Sequence, residues 1–522
     1  MSEDQKQLLE SQLWGIANLL RGRISPDDYR DYILGFIFYK YLSEKQQVYA
    51  NHLLEGEAVT KYEDVTDDSI LDTIKDESLE KLGYFLKPSE LFSAIALRGK
   101  ADIEDESNYI LDDLNEILNH IEQSTMGTES EEDFNALFED LDLNSNKLGR
   151  TVGARNEIIV KILNHLNKID FKLNEVNSDV LGDAYEYLIG KFAAGAGKTA
   201  GEFYTPQQVS KILAKIVTTG KSKIKSAYDP TCGSGSLLLR IKKEADVSEF
   251  YGQELNRTTY NLARMNMLLH DVHFREFNIQ HEDTLENPKH LEKRFEAVVA
   301  NPPFSAHWKG DDNPLNSTDE RFSQYGRIAP KTKADYAFVL HMIYQLADNG
   351  IMACVLPHGV LFRGASEGEI RKYLIKELNY LDAVIGLPAN IFYGTSIPTC
   401  ILVIKKCRKA NDNIVFIDAS SEEHFKKEGN QNVLEDKDVE SIVETYRNRT
   451  SRDKYSHVAT LAEIAENDYN LNIPRYVDTF VIEDSIDLEQ ISSELKALEN
   501  DLETNNNEIA SFCAELNIST PF

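Results

Sequence analysis

The 522-residue chain has no long apolar run and only five cysteines, which restricts the class of protein to which it can belong. No apolar stretch approaches the roughly 18 residues of a membrane-spanning helix, so we expect no membrane span. The cysteines are scattered, odd in number and contain no C-x-x-C pair, which argues against a disulfide framework and against a zinc site. The polar, acidic start at residues 1–6 does not look like a signal peptide. We therefore expect a cytoplasmic protein that holds no metal.

Basic residues are also scarce, since 56 Lys and Arg stand against 87 Asp and Glu and give a formal charge of −31. Residues 51–150 carry a net charge of −18 and residues 476–522 carry −10, whereas residues 191–246 carry +6. Five lysines cluster in this last segment: Lys211, Lys215, Lys221, Lys223 and Lys225. The cluster is either a solvated helix face and loop or a contribution to polyanion binding. Because polyanion binding requires clustered cations, we expect the chain alone to bind nucleic acid weakly and a basic partner to supply most of the affinity.

The length predicts two or three domains, and the hydrophobic pattern divides the chain into three parts. Residues 1–170 show apolar residues at helical spacing, with Ser25 as a predicted helix cap and Pro26 in the first turn. After about residue 225, short apolar runs alternate with helical segments, which is typical of a doubly wound parallel sheet covered by helices. The candidate strands are 225–229, 249–253, 276–280, 296–301, 351–356, 381–386 and 399–405. We thus expect an α/β domain over residues 171–475.

The tail, residues 476–522, has a different pattern. Its apolar residues alternate spacings of three and four over about four heptads, which predicts one long helix with a continuous apolar seam. The seam consists of Leu488, Ile491, Leu495, Leu498, Leu502, Asn505, Ile509, Phe512 and Leu516. The helix either packs on its own domain or docks on helices of another chain. Because its flanking positions are acidic, a basic partner helix would fit.

A glycine-rich turn follows the first candidate strand. Asp229-Pro230 ends that strand, and Gly233-Ser234-Gly235 leads into a helix that begins at Ser236. Glycine allows a close approach between the backbone and a ligand at the carboxyl edge of a parallel sheet, although such a turn is also common between ordinary strands and helices.

Two further acids follow the next two strands. Glu254 can accept hydrogen bonds from both ribose hydroxyls of a nucleoside, and Asp283 can accept one from an adenine amino group. Because nothing nearby resembles a diphosphate cradle, this arrangement favours S-adenosyl-L-methionine over NAD.

A segment that looks like the end of a P-loop is rejected. Gly195-Ala196-Gly197-Lys198-Thr199 would require glycine at position 192, where the chain has Phe192. No apolar strand precedes it either. We interpret it as a small-residue loop that could order over the cofactor.

Asn301-Pro302-Pro303-Phe304, directly after the fourth candidate strand, is the most specific motif of the chain. An aromatic amine is a poor nucleophile because its lone pair is delocalised into the ring. Two acceptors, the Asn301 side-chain oxygen and the Pro302 carbonyl, would each accept a hydrogen bond from one N–H of the amine. These hydrogen bonds would stabilise the positive charge that develops on nitrogen. The prolines stiffen the turn, and Phe304 offers a face on which an extruded base can stack. The motif therefore predicts methyl transfer to an exocyclic amine.

Taken together, these motifs resemble the methylation (modification) subunit of type I restriction-modification systems, an N6-adenine DNA methyltransferase. The resemblance covers nearly the whole chain and includes an upstream Phe-x-Thr-Pro segment and the sequence Gly386–Phe392. It implies a Rossmann-like S-adenosylmethionine-dependent methyltransferase sheet between a helical N-terminal domain and a helical C-terminal tail. It also implies that the methionine end of the cofactor is lined by Glu202, Phe203, Tyr204, Thr205, Pro206 and Gln207.

The remaining implied roles fall on the motifs already described. Asp229 and the turn Gly233-Ser234-Gly235-Ser236 would contact the cofactor, with Glu254 on its ribose and Asp283 on its adenine. Asn301, Pro302, Pro303 and Phe304 would act on the target adenine. One departure stands beside Asp283, where Glu282 replaces the glycine that the family often has.

The family further implies partners. Two copies of such a subunit assemble with one specificity subunit, which recognises the DNA sequence, and a separate restriction (translocase) subunit joins the larger complex. Double-stranded DNA with a flipped adenine is the implied substrate. This division of labour accounts for the acidic charge of the chain, because DNA recognition would belong to another protein.

Two other functions remain open from the sequence. A protein glutamine side chain presents the same electronic problem as adenine, and a similar Asn-Pro-Pro-aromatic motif serves enzymes that methylate it. A non-catalytic scaffold that uses its helical ends for assembly is the third interpretation. The N-terminal 170 residues and the heptad tail favour the DNA enzyme, and the intact Asn301, Pro302 and Glu254 argue against a scaffold.

Overall fold

A computed structural model describes residues 3–20, 26–99, 109–171, 173, 179–195, 205–392, 394–429, 431–479 and 487–522. The chain divides into two compact units, Met1–Asp478 and Thr479–Phe522. Across the described residues, every helix is too short or too polar to pass through a membrane.

A nine-stranded sheet forms the centre of the first unit. The strands are β1 (Lys223–Asp229), β2 (Asp246–Glu254), β3 (Phe277–His281), β4 (Phe295–Ala300), β5 (Leu346–Pro357), β6 (Leu381–Gly386), β7 (Thr399–Lys405), β8 (Ile414–Asp418), β9 (Lys426–Glu428), β10 (Gln431–Val433) and β11 (Ser456–Ala459). The order across the sheet is β11-β8-β6-β7-β5-β4-β1-β2-β3, and β9 pairs with β10 in a separate hairpin. The chain order reverses between β1 and β4, and open α/β sheets bind ligands at such a switch point.

The helices of the first unit lie before the sheet, between its strands and after β11. They are α1 (Glu3–Leu20), α2 (Pro26–Leu53), α3 (Asp68–Lys81), α4 (Phe92–Arg98), α5 (Leu111–Ser124), α6 (Glu131–Phe134), α7 (Val152–Leu166), α8 (Asp179–Gly195), α9 (Gln207–Val217), α10 (Ser236–Glu244), α11 (Arg257–Leu269), α12 (Asp335–Gln345), α13 (Ala365–Lys376), α14 (Asp436–Asn448) and α15 (Leu461–Glu466). Helices cover both faces of the sheet: Ala297 and Val299 of β4 belong to one apolar core, whereas Val298 and Ala300 belong to the other with α12. Both faces are therefore buried, which explains the continuous apolar runs of the central strands.

The N-terminal helices share a core with the helices on one side of the sheet, which makes residues 1–478 one unit. Arg264 of α11 is 1% exposed and marks the contact. Its Nη1 donates hydrogen bonds to the backbone carbonyls of Glu132, Asp133 and Asn135 at 2.9, 3.1 and 3.0 Å. Buried arginine is stable here because three carbonyls accept its protons.

The seven predicted strands are present, β6 and β7 with the predicted bounds and the other five with shifted ends, and the doubly wound sheet is confirmed. One detail was wrong: β7 is antiparallel to both of its neighbours, β5 and β6, so the sheet is not entirely parallel. β4 ends at Ala300, one residue before the predicted end, and Asn301 directly follows the strand, as expected for the motif. β8, β9, β10 and β11 were not predicted from the sequence. Each is five residues or shorter, which gives little room for a periodic pattern.

The helix predicted to begin at Ser236 is α10, which does begin there. The next helix, α11, begins at Arg257, and the side chain of its N-cap Asn256 accepts the Thr259 N–H. The predicted cap Ser25 lies outside the described residues, and α2 is described from Pro26.

The described part of the second unit contains one helix, α16 (Leu488–Glu515), capped by the Asp487 side chain. Its apolar seam is exposed within this unit. The exposed seam residues are Leu488, Ile491, Leu495, Leu498, Leu502, Ile509, Phe512 and Leu516.

The lysine cluster on residues 211–225 is largely engaged with neighbouring acids and carbonyls. Lys211 pairs with Asp436, Lys215 with Glu244 and Glu440, and Lys223 with Asp246. Lys221 donates to the Asn349 carbonyl. These contacts favour the interpretation of a solvated face over a polyanion site.

Candidate active site

The predicted site residues follow adjacent strands at one edge of the sheet. Asp229 ends β1 opposite Gly252, and Glu254 ends β2 opposite His281, the last residue of β3. β4 lies on the other side of β1 and leads directly into Asn301. The fold thus brings the two sequence motifs, which are distant in the chain, to the same carboxyl edge.

The glycine turn has the backbone that the sequence required. Gly233 and Gly235 have φ values of +54° and +77°, and Gly235 is the N-cap of α10. These angles lie in the left-handed region that favours glycine. The Cys232 N–H donates to the Gln253 carbonyl at 3.0 Å, which fastens the turn to β2.

Glu254 connects the turn to the following strand. Its Oε2 accepts the Gly233 N–H at 2.9 Å, and its Oε1 accepts the Asn256 N–H at 2.8 Å. Each carboxylate oxygen has two lone pairs, so each retains an acceptor site for a ligand hydroxyl. Burial raises the pKa of the Glu254 carboxyl, and these N–H groups oppose the rise.

Asp229 is buried with an incomplete set of partners. Its side chain accepts the Thr231 N–H on Oδ1 at 2.9 Å, and within the described part of the chain its buried Oδ2 has no hydrogen-bond partner. Burial, with a smaller contribution from the negative charge of Glu254, raises the pKa of Asp229 to about 8. A buried carboxyl of this kind has the chemistry to receive a cationic ligand group.

Asp283 follows β3 and shapes the next loop. Its Oδ1 accepts the N–H groups of Leu285 and Glu286 at 2.9 and 3.3 Å. The Thr284 hydroxyl donates to the Pro230 carbonyl at 2.6 Å, which joins this loop to the first motif.

A cavity of about 540 Å³ lies over this edge. Its lining consists of Pro230, Thr231, Glu254, Leu255, Asn256, Thr259, Asp283, Thr284, Leu285, Pro303, Ala306, His307, Trp308, Ala334 and Phe338. The lining includes the carboxylates of Glu254 and Asp283 and the rings of Trp308 and Phe338. A cavity of this size, apolar with a few polar groups, suits a nucleoside.

The Asn-Pro-Pro-Phe motif adjoins the cavity. Asn301 is 6% exposed, whereas Pro303 lines the cavity. Phe304 is half-buried and meets Phe392 edge to face, with ring centroids 5.8 Å apart and an interplanar angle of 81°. Phe392 ends the sequence Gly386–Phe392, so the fold brings a second distant segment to the motif.

The upstream segment is only partly described. Glu202, Phe203 and Tyr204 lie outside the described residues. Thr205 is buried, and Gln207 begins α9. Pro206, Gln207 and Ile391 line a separate cavity of about 430 Å³. Glu254, Asp283 and Pro303 therefore line one cavity. Pro206 and Gln207 line the other.

The rejected P-loop segment is described only at Gly195, the last residue of α8. The other four residues, Ala196–Thr199, lie outside the described residues.

Residues that line or support the cavity were missed from sequence. Trp308 is one of two tryptophans and stands four positions after Phe304, a signal that the composition offered. Arg321 had no such signal: it is 3% exposed, and its Nη1 and Nη2 donate to the carbonyls of Thr284 and Leu285 at 3.0 and 2.8 Å. It thereby holds the loop that follows Asp283.

One cluster has metal-ligand residue types. Asp183, Glu186 and His270 bring potential ligand atoms within 4.8 Å of one another. The Lys243 ammonium already pairs with Asp183, so we assign no metal to this cluster.

Comparison with known proteins identifies relatives that match most of the chain. A family model described as N-6 DNA methylase matches residues 176–485, and one described as HsdM N-terminal domain matches residues 9–166. The chain is 40% identical over 508 residues to the type I restriction enzyme MpnII methylase subunit of Mycoplasma pneumoniae, covering 94% of this chain and 92% of the relative. It is 30% identical to the MjaIX methylase subunit of Methanocaldococcus jannaschii, covering 94% and 88%.

A solved structure is similar as well. The type I restriction-modification system methyltransferase subunit from Streptococcus thermophilus superposes with a TM-score of 0.83 at 42% identity. The match covers 91% of this chain and 100% of that chain.

Proposed function

The chain belongs to the N-6 DNA methylase family, as a methylase subunit of type I restriction-modification systems, and we propose that it transfers a methyl group from S-adenosyl-L-methionine to the N6 amino group of adenine in DNA. The observation that carries this proposal is the convergence of Asp229, Glu254, Asp283 and Asn301 at one sheet edge beside a nucleoside-sized cavity. Bound S-adenosyl-L-methionine would supply an electrophilic methyl group.

The residues present fit this cofactor. The buried Oδ2 of Asp229, which has no hydrogen-bond partner within the described part of the chain, suits a cationic group, and S-adenosyl-L-methionine carries an ammonium and a sulfonium. We assign the ribose to Glu254, whose oxygens retain acceptor sites, and the adenine to the region of Asp283 and Trp308. Gly233, Ser234, Gly235 and Ser236 form the turn along which the ligand would lie. Glu202–Gln207 remain a proposal from the family resemblance.

The motif after β4 supplies the chemistry on the target base. The Asn301 side-chain oxygen and the Pro302 carbonyl would each accept a hydrogen bond from one N–H of the adenine amine. This directs its lone pair toward the methyl group and stabilises the positive charge that develops on nitrogen. Pro303 stiffens the turn, and Phe304 would stack on the flipped base.

Assembly with a partner accounts for the exposed seam of α16. Eight apolar side chains of one helix face are exposed in the second unit, and acidic residues flank them. We assign this face to helices of the specificity subunit, in a complex of two methylase chains and one specificity chain that a restriction subunit can join. The acidic surface of this chain fits a division of labour in which the partner contacts the DNA grooves.

Methyl transfer to DNA tests the proposal. The complex with the specificity subunit, the chain alone and an Asn301→Ala complex would each receive labelled S-adenosyl-L-methionine and DNA that carries the target site. We expect N6-methyladenine from the intact complex, and a rate about 100–1,000-fold lower from Asn301→Ala with cofactor binding retained. Transfer to a glutamine-containing protein and not to DNA would replace the proposal with protein amide methylation. Absence of cofactor binding would favour a non-catalytic scaffold.

A further inference from the structure

We propose that Asp335 is the positioning residue that fixes the backbone beside Phe304 and so sets the angle of the Phe304 ring toward the target base. The inference rests on the proposed function, because it assigns a geometric role in the same reaction. Asp335 is the first residue of α12, 31 positions after Phe304, and its side chain is 0% exposed. A buried carboxylate requires a structural reason for its position, and its two oxygens supply one.

The first oxygen holds the residue that follows Phe304. Ser305 has a φ of +54°, which lies in the left-handed region that L-residues rarely adopt. Its N–H donates to Asp335 Oδ1 at 2.9 Å. A hydrogen bond to a buried charged acceptor is stronger than a neutral one, so this contact stabilises a turn that serine alone disfavours.

The second oxygen fixes the carboxylate itself. Arg363 Nη1 donates to Asp335 Oδ2 at 3.1 Å and to both oxygens of Glu367 at 2.9 and 3.1 Å. Gly359 leaves room for this guanidinium, because a Cβ there would stand 2.3 Å from Arg363 Nε. With one oxygen bound to arginine and the other to Ser305, the carboxylate has one orientation.

The cavity side of the same loop is held independently of Asp335. The Ala334 N–H donates to the Ala306 carbonyl at 2.9 Å, and the Trp308 N–H donates to the Lys331 carbonyl at 3.0 Å. The Trp308 indole donates to the Pro330 carbonyl at 3.1 Å. Removing the Asp335 carboxylate therefore loosens the Phe304 end of the loop and leaves the Trp308 end in place.

The Phe304 ring is sensitive to such loosening. It meets Phe392 edge to face at 5.8 Å, so a rotation of the turn changes both that contact and the plane available to a base. A displacement of about 1 Å in a group that orients the substrate costs roughly 100-fold in rate. Asp335 would thus act on the chemical step through Phe304 without touching cofactor or base.

The test uses the complex with the specificity subunit and four variants of this chain. They are Asp335→Ala, Asp335→Asn, Ser305→Gly with Asp335→Ala, and Ser305→Val. Asp312→Ala is the matched control, because it removes an exposed aspartate of the same loop that pairs with Lys331. Each variant is measured for kcat, for the Kd of S-adenosyl-L-methionine, and for the fluorescence of 2-aminopurine at the target position.

We expect Asp335→Ala to lower kcat about 100-fold, with altered 2-aminopurine quenching and a cofactor Kd within about threefold of wild type. Asp335→Asn retains an acceptor for the Ser305 N–H and should recover part of kcat. Ser305→Gly should also recover part of it, because glycine adopts the left-handed turn without help. If Asp335→Ala does not fold, Ser305→Val tests the turn with Asp335 intact, since a β-branched residue opposes a positive φ.

Different experimental outcomes would contradict the positioning role of Asp335 and the proposed function. A wild-type complex that transfers no methyl group to adenine removes the proposed function, whatever the variants do. An active wild type with an equally active Asp335→Ala overturns the positioning role. A joint loss of kcat and cofactor binding that neither asparagine nor Ser305→Gly relieves also overturns it, because that result indicates general damage to the fold.

Discussion

The hydroxyl of Thr284 donates a 2.6 Å hydrogen bond to the backbone carbonyl of Pro230. This contact joins two loops that are 54 residues apart in the chain, one after β1 and one after β3. The first loop directly follows Asp229, and the second loop contains Asp283. Both residues are acids of the proposed cofactor site. This hydroxyl therefore contributes to fixing the position of one acid relative to the other.

Thr284→Val removes that hydroxyl and keeps the shape of the side chain. We expect S-adenosyl-L-methionine to bind about 2–10-fold more weakly, since a hydrogen bond of this type contributes roughly 0.5–1.5 kcal/mol. Calorimetric titration of the complex measures the change. Thr284→Ser should bind like wild type, and Thr318→Val, which loses a hydroxyl from an exposed local turn, is the matched control. Equal affinity in Thr284→Val and wild type would contradict the role of this contact.

Asp229→Asn tests the buried carboxyl of the first motif. Because burial raises the pKa of Asp229 from its ordinary value of 3.8 to about 8, the folded state binds this proton more tightly than the unfolded state. The protonated Asp229 side chain makes its full contribution to the free energy of unfolding below about pH 4, and this contribution is lost as the pH rises toward 8. We expect the ligand-free variant to melt about 1–3 °C above wild type at pH 8, with no gain at pH 4.

The same substitution should weaken the cofactor. Loss of the negative charge removes the proposed partner of a cationic group, so we expect a Kd about 10–100-fold higher. Wild type should release a proton when it binds S-adenosyl-L-methionine at pH 7, which calorimetry in buffers of different ionisation enthalpy detects. Binding that releases no proton in wild type would argue against contact between Asp229 and the cation.

His341 gives a second pH-dependent prediction. Arg321 Nη1 lies 3.1 Å from His341 Nδ1, and a guanidinium only donates, so Nδ1 accepts and Nε2 donates to the Tyr228 oxygen at 2.9 Å. Burial, with the Arg321 charge and a smaller effect of His290, holds the pKa of His341 well below 6.5. The unfolded chain takes up this proton near pH 6.5, so the stability that the neutral ring contributes is lost as the pH falls below that value.

His341→Gln preserves both hydrogen bonds without the titration. At pH 5 we expect its free energy of unfolding to fall about 1–2 kcal/mol less from the pH 7.5 value than that of wild type. Denaturant unfolding at the two pH values measures this. A residual slope remains, because burial also lowers the pKa values of His290 and His358. Parallel pH profiles of variant and wild type would show that His341 does not carry the effect.

Charged substitutions in the apolar seam of α16 should prevent assembly with the specificity subunit without weakening cofactor binding. Leu498→Lys with Leu502→Lys places two charges on the exposed apolar face, and we expect affinity for the specificity subunit to fall by about 100-fold or more. Asn500→Lys with Thr504→Lys adds the same charge at the same spacing off the seam and should assemble normally. Co-purification measures assembly with the specificity subunit, and calorimetry measures cofactor binding. Normal assembly of the seam variant would place the interface elsewhere.

The sequence by itself determined the chemistry-bearing motifs and the architecture. Alternating apolar runs and helices require a covered sheet. Asp229, Glu254 and Asn301 end or directly follow their strands, so they must share one edge when the strands are parallel. The heptad spacing likewise determined a single helix at residues 488–515. These features depend on local periodicity and backbone geometry, which a sequence contains.

Only the tertiary structure decided which distant residues support the site. Asp335, Arg321 and Phe392 stand in no motif with the groups that they hold, and their roles follow from loops that meet at the sheet edge. The antiparallel direction of β7 is set by its pairing with β5 and β6, not by its own apolar residues. Long-range contacts depend on how the whole chain closes, so no single segment of the sequence specifies them.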